Sequence, residues 1–270
     1  MAWLLILAAP PSSLNGFLRY ADESRLAQLP LGERVAQVGL EFAGTPYVGG
    51  TLDTNPQTER CVVRWDGLDC FTFVELSWNL ARLTEKEERT PAGLHALVTE
   101  TRYRGGRLDG YASRLHYASE WLLDNAARGL LDDLTPSLPG ALRDTRAIHF
   151  MTSHPASYPA LRSGNAELLR TLRQHEMALT RRERWFVPKS KVAAIEATLK
   201  SGDIVVITTD TPGLDASHVG MIVVAEDGVR RLLHASSDQG KVVLDGRLSD
   251  YLARNRSQTG IMVGRPRAND

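Results

Sequence analysis

From Asp69 to Arg82 the chain carries Phe71, Phe73, Val74, Leu76, Trp78 and Leu80 in a helical pattern that is apolar on most sides. A helix of that kind has no solvent face to present, so it belongs in the centre of a domain. Asp69 stands before it as a good N-cap, since its carboxylate can accept from the free N–H groups of the first turn. That places Cys70 in the first turn. A helix N-terminus and a nearby imidazole both favour a thiolate, which makes Cys70 the candidate nucleophile. Its bland alternative is an inert core cysteine.

Other elements arrange themselves around this helix. Leu31 to Phe42 suits an amphipathic helix, with Val35, Val38, Leu40 and Phe42 among polar residues. Gly44-Thr45-Pro46-Tyr47-Val48-Gly49-Gly50 reads as a loop. Arg60 to Trp65 reads as a strand, and Cys61 within it as a small apolar core residue. A bridge between Cys61 and Cys70 is compatible with a sequence that does not give their separation. Residues 84–200 read as a largely helical insertion, with helices at Ala92–Arg102, Leu115–Arg128, Asn165–Leu179 and Lys191–Leu199. No flexible linker bounds the insertion, so residues 31–270 form a single domain in this reading. The β-branched segments Ile204–Thr209, His218–Ala225, Val229–Ala235 and Lys241–Leu244 follow as an antiparallel meander.

Before these elements, residues 1–30 form an N-terminal segment that begins with an apolar stretch from Met1 to Ala9. It is too short to span a bilayer, and it lacks the basic residues that usually open a secretory signal. A signal with a misassigned start and a buried N-terminal segment both remain open. No other segment suits a membrane span. The chain holds 32 basic and 32 acidic residues, which argues against a broad polyanion-binding face and hence against nucleic acid as a partner.

Among the seven histidines, His218 opens one strand of the meander and His234 closes the next. If Glu226-Asp227-Gly228 forms a three-residue hairpin loop with glycine in the left-handed position, Ala225 faces Val229. Pairing outward then sets Gly220 opposite His234. His218 falls diagonal to His234 on the same sheet face, about 7–8 Å away. One imidazole can then take the Cys70 proton while the other orients it. A two-residue turn would put them on opposite faces. Zinc-type spacings such as His-Glu-x-x-His are missing, so neither a metal nor another cofactor is expected.

These motifs together resemble the NlpC-type cell-wall cysteine peptidases and amidases. Gly44-Thr45-Pro46-Tyr47-Val48-Gly49-Gly50 matches the family's Gly-x-Pro-Tyr loop with one residue fewer, and Asp69-Cys70-Phe71-Thr72-Phe73-Val74 matches part of its Asp-Cys-Ser-Gly-Phe-Val helix start. Gly202-Asp203-Ile204-Val205, His218-Val219-Gly220-Met221 and Leu233-His234-Ala235-Ser236 follow in the family's order. A cysteine on a buried helix ahead of a meander with two histidines is the order of a papain-like α+β fold. The long middle, including Gly110 to Tyr117, resembles the branch described as N-acetylmuramoyl-L-alanine amidase-like, from about Gly32 to Arg265. Phe71-Thr72 departs from the family's Ser-Gly.

The resemblance implies an α+β, papain-like fold with a central antiparallel sheet and the nucleophile on a buried helix. It implies Cys70, His218 and His234 as catalytic residues, with Tyr47 and Asp69 contacting the peptide near the scissile bond. Arg114 and His116 admit two readings, as contacts to a substrate carboxylate or sugar, or as a salt-bridged helix start and a core histidine. Asp215 and Ser217 are expected to shape the turn into the His218 strand. The implied substrate is a muropeptide, cut at the N-acetylmuramoyl-L-alanine amide or at the γ-D-glutamyl bond to the diamino acid, in the cell envelope. A non-catalytic wall-binding module is the remaining alternative, one that would not need the thiol.

Overall fold

The computed structural model describes residues 9–53, 58–162 and 164–268. The apolar start at residues 1–8 lies outside them, so both readings of that stretch stand.

Helix α1 (Leu14–Glu23) buries Leu14, Phe17 and Ala21 in the main core. The segment before residue 31 therefore joins the domain that the sequence reading began at that point. α2 (Leu31–Glu41) forms as its apolar period requires. α3 (Cys70–Leu83) carries the nucleophile candidate, and every residue from Thr72 to its end is buried. α4 (Pro91–Arg102) and α5 (Ala118–Ala127) follow.

The middle is less helical than its pattern suggests. It supplies the short strands β1 (Leu131–Asp133), β2 (Leu142–Arg143) and β3 (Trp185–Pro188), interleaved with α6 (Phe150–Ser153) and α7 (Ala166–Arg181). α8 (Lys189–Ile195) then leads into the meander β4 (Ile204–Thr209), β5 (Ala216–Val224), β6 (Arg230–Ser236) and β7 (Lys241–Arg247). α9 (Leu248–Arg254) and β8 (Gln258–Pro266) close the chain.

The strands form one eight-stranded sheet in the order β2-β3-β8-β4-β5-β6-β7, with β1 also on β8. β8, which the sequence reading did not include, lies beside β4 and ties the meander to β3. The core follows the two-residue period of the strands. Ile204, Val206, Val219, Met221 and Leu233 pack with α1 to α5 on one face. Val205, Ile207, Ile222 and Leu232 pack with α8 and α9 on the other. The insertion adds a small core of its own around Tyr117, Met151, Leu172 and Leu179. Among the described residues no helix is long and apolar enough to cross a membrane.

Residues 60–65 are not a strand. They run as irregular chain across α3 and α4, held where Arg102 donates to the Val62 carbonyl at 2.6 Å. Arg102 is itself paired with the buried Glu75 at 2.7 Å. A buried ion pair takes the role that a sheet ladder would otherwise play. Both cysteines are free thiols.

The β5–β6 hairpin adopts the expected register. Ala225 donates to the Val229 carbonyl at 3.0 Å, and Gly228 sits at φ +73°, which glycine tolerates without strain. Met221 faces Leu233, and the same register sets Gly220 against His234. A Cβ at Gly220 would lie 2.9 Å from the Leu233 carbonyl oxygen and 3.1 Å from the His234 Cβ. Gly220→Ala should therefore cost about 1–3 kcal/mol, the ordinary penalty for overpacking. Thermal unfolding reads this directly, and an unchanged Tm would show that the hairpin yields freely.

Candidate active site

Cys70 is fixed by its neighbour in sequence. Asp69 is the N-cap of α3, and its Oδ1 accepts from the Phe71 and Thr72 N–H groups at 3.1 and 2.8 Å. Thr72 returns the favour through Oγ1, which accepts from the Asp69 N–H at 3.0 Å. This reciprocal capping box contributes about 0.5–2 kcal/mol. Thr72 thus has a structural use at one of the two positions where the chain departs from the Ser-Gly of its resemblance.

The loop through Tyr47 is an ordered strap. Tyr47 donates through its N–H to Gly240 at 2.8 Å, while Leu68 donates to Pro46 and Val48 to Leu68. The strap runs between the start of β7 and the residue before Asp69. Burial raises the Tyr47 phenol pKa, and the acidic groups of Cys70 and Asp69 beside it act in the same direction.

His218 approaches from the sheet. β5 carries a bulge before it, since Ile207 faces His218 while Thr208 faces Ala216, leaving Ser217 as the extra residue. Bulges re-aim side chains next to functional sites. The buried Asp215 anchors this end of the strand by accepting from the Ser119 N–H in the first turn of α5 at 2.6 Å. The shaping role expected of Asp215 and Ser217 fits this arrangement. The Val219 backbone, next to His218, is close enough to Cys70 to favour its thiolate, as are the backbones of Cys70 and Phe71, so the thiol lies at the histidine end of β5.

His218 Nε2 and His234 Nδ1 are 2.7 Å apart. That leaves His218 Nδ1 as the ring nitrogen available to the thiol. Tyr251 of α9 covers the pair, with ring centroids 6.1 Å from His218 and 5.1 Å from His234. On the far side of His234, Nε2 lies 3.7 Å from Asp245 Oδ2. Neither Tyr251 nor Asp245 was anticipated from the sequence. A signal existed for Asp245: extending a four-residue β6–β7 turn puts it on the face of His234.

The structure brings Tyr47, Asp69, Cys70, His218 and His234 together. Arg114 and His116 form a different cluster. Arg114 is buried against Asp53 at 2.5 Å and Glu59 at 3.5 Å, with its guanidinium 4.8 Å over the Tyr111 ring. His116 Nε2 donates to the Tyr111 carbonyl at 2.8 Å. Burial and the Arg114 charge hold its imidazole well below the usual pKa range. Of the two readings of these residues, the internal pairing of a buried guanidinium matches the salt-bridged one. Among the described residues no group of three or more His, Cys, Asp or Glu could hold a metal ion.

Electrostatically the resting site is neutral. Burial, and then the adjacent Asp69 charge, push the Cys70 thiol up to about 12, against the opposing pull of the backbone N–H groups. Burial, and then His234, lower His218 to about 3. The backbone N–H groups at the helix start act in the expected direction, but burial outweighs them.

The chain belongs to the AmiA-like family, N-acetylmuramoyl-L-alanine amidase-like, whose model matches residues 37–261. It is a family of amidase-like peptidoglycan hydrolases. An N-acetylmuramoyl-L-alanine amidase from Bacteroides uniformis is 33% identical at TM-score 0.80, covering 88% of this chain and 99% of that one. A Bacteroides fragilis protein described as a candidate xylanase is 37% identical at TM-score 0.77, covering 85% and 99%. Protein LPG0564 of Legionella pneumophila, matched to the DUF1460 family model, shares the fold at 22% identity and TM-score 0.68, covering 95% and 97%. No curated protein matches the chain.

A neutral resting thiol has a kinetic signature. Above neutral pH the thiolate fraction of a thiol with a raised pKa grows about tenfold per pH unit. Iodoacetamide labelling of Cys70, followed by peptide mapping, should be slow at pH 7 and climb steadily to pH 10. A rate already at its plateau at neutral pH would instead reveal a resting thiolate–imidazolium pair.

Proposed function

We propose that the protein is a cysteine amidase of peptidoglycan fragments, with Cys70 as nucleophile, His218 as base and His234 as its orienting partner, on an NlpC-type, papain-like fold. The observation that carries this reading is the His218–His234 contact of 2.7 Å beside a thiol at the first turn of a buried helix. A wall-binding module has no use for that arrangement. A glycosidase needs two carboxylates across the scissile bond, whereas this cluster is built of a thiol and two imidazoles.

The thiol and His218 titrate as a pair, since thiolate and imidazolium stabilise each other. As the sulfur attacks the amide carbonyl, its proton passes to His218 Nδ1. The tetrahedral oxyanion faces backbone N–H groups at the start of α3, Cys70's included. Collapse forms a thioester and expels the amine, which takes the proton from His218. Water, deprotonated by His218, then cleaves the thioester and restores the thiol.

The bond we favour is the amide between N-acetylmuramic acid and L-alanine, on the strength of the family and of the Bacteroides uniformis amidase. A second reading is cleavage after γ-D-glutamate. It draws support from Asp69, whose three donors all address Oδ1. Oδ2 is left for a substrate ammonium such as the free amine of L-alanine. Both bonds belong to cell-wall material, which supports an envelope location.

Cys70→Ala and His218→Ala should each lower kcat on a defined disaccharide-tripeptide by at least about 10³-fold, and His234→Ala by less. Mass spectrometry of the products separates the two bonds. Release of an intact stem peptide from the sugar, with a free tripeptide left uncut, supports the amidase. Cleavage of the free tripeptide rejects it in favour of the endopeptidase. Wild-type turnover in Cys70→Ala would end the cysteine mechanism altogether.

A further inference from the structure

His234 is fully buried, and its Nε2 has no hydrogen-bond partner within normal reach. The nearest charged acceptor is Asp245 Oδ2 at 3.7 Å. That carboxylate is not free to wander. Its Oδ1 accepts from the Gly246 N–H at 2.6 Å and from Arg254 Nη2 at 2.8 Å. His234 pairs with Val243, so Asp245, two residues further along β7, shares its face, and a bulge follows at this level. The other charged groups that reach His234 are Asp238 in the β6–β7 turn and Arg254 on α9. His218 and Tyr251 complete its surroundings.

An imidazole with one proton has to choose which nitrogen holds it. If His234 were protonated at Nδ1, its Nε2 lone pair would face the negative Asp245 carboxylate, an acceptor against an acceptor. If it is protonated at Nε2, an N–H dipole faces that carboxylate instead. The choice propagates. With the proton on Nε2, His234 Nδ1 can only accept, so His218 must donate through its own Nε2. His218 Nδ1 is then unprotonated and able to receive the proton of Cys70. In the opposite tautomer His218 Nδ1 carries a proton and cannot act as a base.

We propose that Asp245 is the positioning residue of this site, holding His234 as the Nε2–H tautomer and thereby leaving His218 Nδ1 free to accept a proton. This rests on the cysteine mechanism above for its consequence in turnover, but the tautomer itself exists without substrate. When His218 becomes an imidazolium, the same carboxylate supports the charge through His234. No atom of Asp245 touches the substrate or the thiol.

The test is ¹⁵N NMR of the histidine side chains in the full chain, which distinguishes Nδ1–H from Nε2–H by chemical shift. Wild type should show His218 and His234 both protonated at Nε2. Asp245→Ala should lose that preference at His234 and lower kcat on the disaccharide-tripeptide by roughly 10- to 100-fold, with KM little changed, as loss of an orienting partner does. Asp245→Asn should be no better than Asp245→Ala. Its amide can donate to His234 Nε2 and enforce the wrong tautomer, an outcome with precedent where a triad aspartate becomes asparagine. A purely structural aspartate would give the reverse order. His234 protonated at Nδ1 in wild type overturns the proposal, as does an Asp245→Ala protein whose tautomers are unchanged. Should Asp245→Ala fail to fold, the wild-type spectrum still decides. Should the wild type cut no muropeptide, the spectrum stands and only the functional reading falls.

Discussion

The site depends on the register of a single hairpin. β5 and β6 are joined through Glu226-Asp227-Gly228, with Gly228 in the left-handed region and Ala225 bonded to Val229. Side chains on a strand alternate between faces, so a slip of one residue would send His234 to the opposite side of the sheet from His218. The 2.7 Å contact between the two rings would vanish, along with the cover that Tyr251 gives both. Gly220 belongs to the same constraint. It sits against His234, where a side chain would strike the Leu233 carbonyl, so the close approach of β5 and β6 at this level requires its bare backbone. Hairpin loop, glycine and histidine pair are therefore one device.

Around that device the dominant force is desolvation. Burial keeps the thiol protonated and lowers both imidazoles, so the resting cluster carries no net charge of its own. Two carboxylates border it with opposite effects. Asp69, committed to capping α3, raises the affinity of Cys70 for its proton. Asp245 raises the affinity of His234 for one and so favours positive charge on the imidazole side. Asp69 thus acts against ionising the thiol, and Asp245 in favour of a proton on the imidazole side.

Local rules carried the sequence reading far where the signal was periodic. The apolar α3, the Asp69 cap, the β4–β7 meander and the His218–His234 diagonal all follow from spacing, turn chemistry and a single loop length. The reading failed where long-range pairing decided the outcome. Residues 60–65 have the β-branched look of a strand, but Arg102 and Glu75 hold them as irregular chain. The short strands β1 to β3 and the longer β8 exist because they pair with one another and with β4, and no local pattern announces that. For Arg114 the sequence left a substrate contact and a salt bridge equally open, because its partners, Asp53 and Glu59, are far from it along the chain.

Asp245 shows where the boundary between legible and illegible falls. Its face on the sheet could be computed from the β6–β7 turn, just as that of His234 was computed from the β5–β6 loop. What could not be computed was the bulge between Leu233 and Arg231, nor the α9 arginine that holds the carboxylate in place. The His218–His234 diagonal needs only one loop to be right. A residue that acts through another needs the loop, the bulge and a third element to agree. The proposed nucleophile and base therefore come out of sequence reasoning earlier than the residue proposed to orient them, which has to be read from the folded protein.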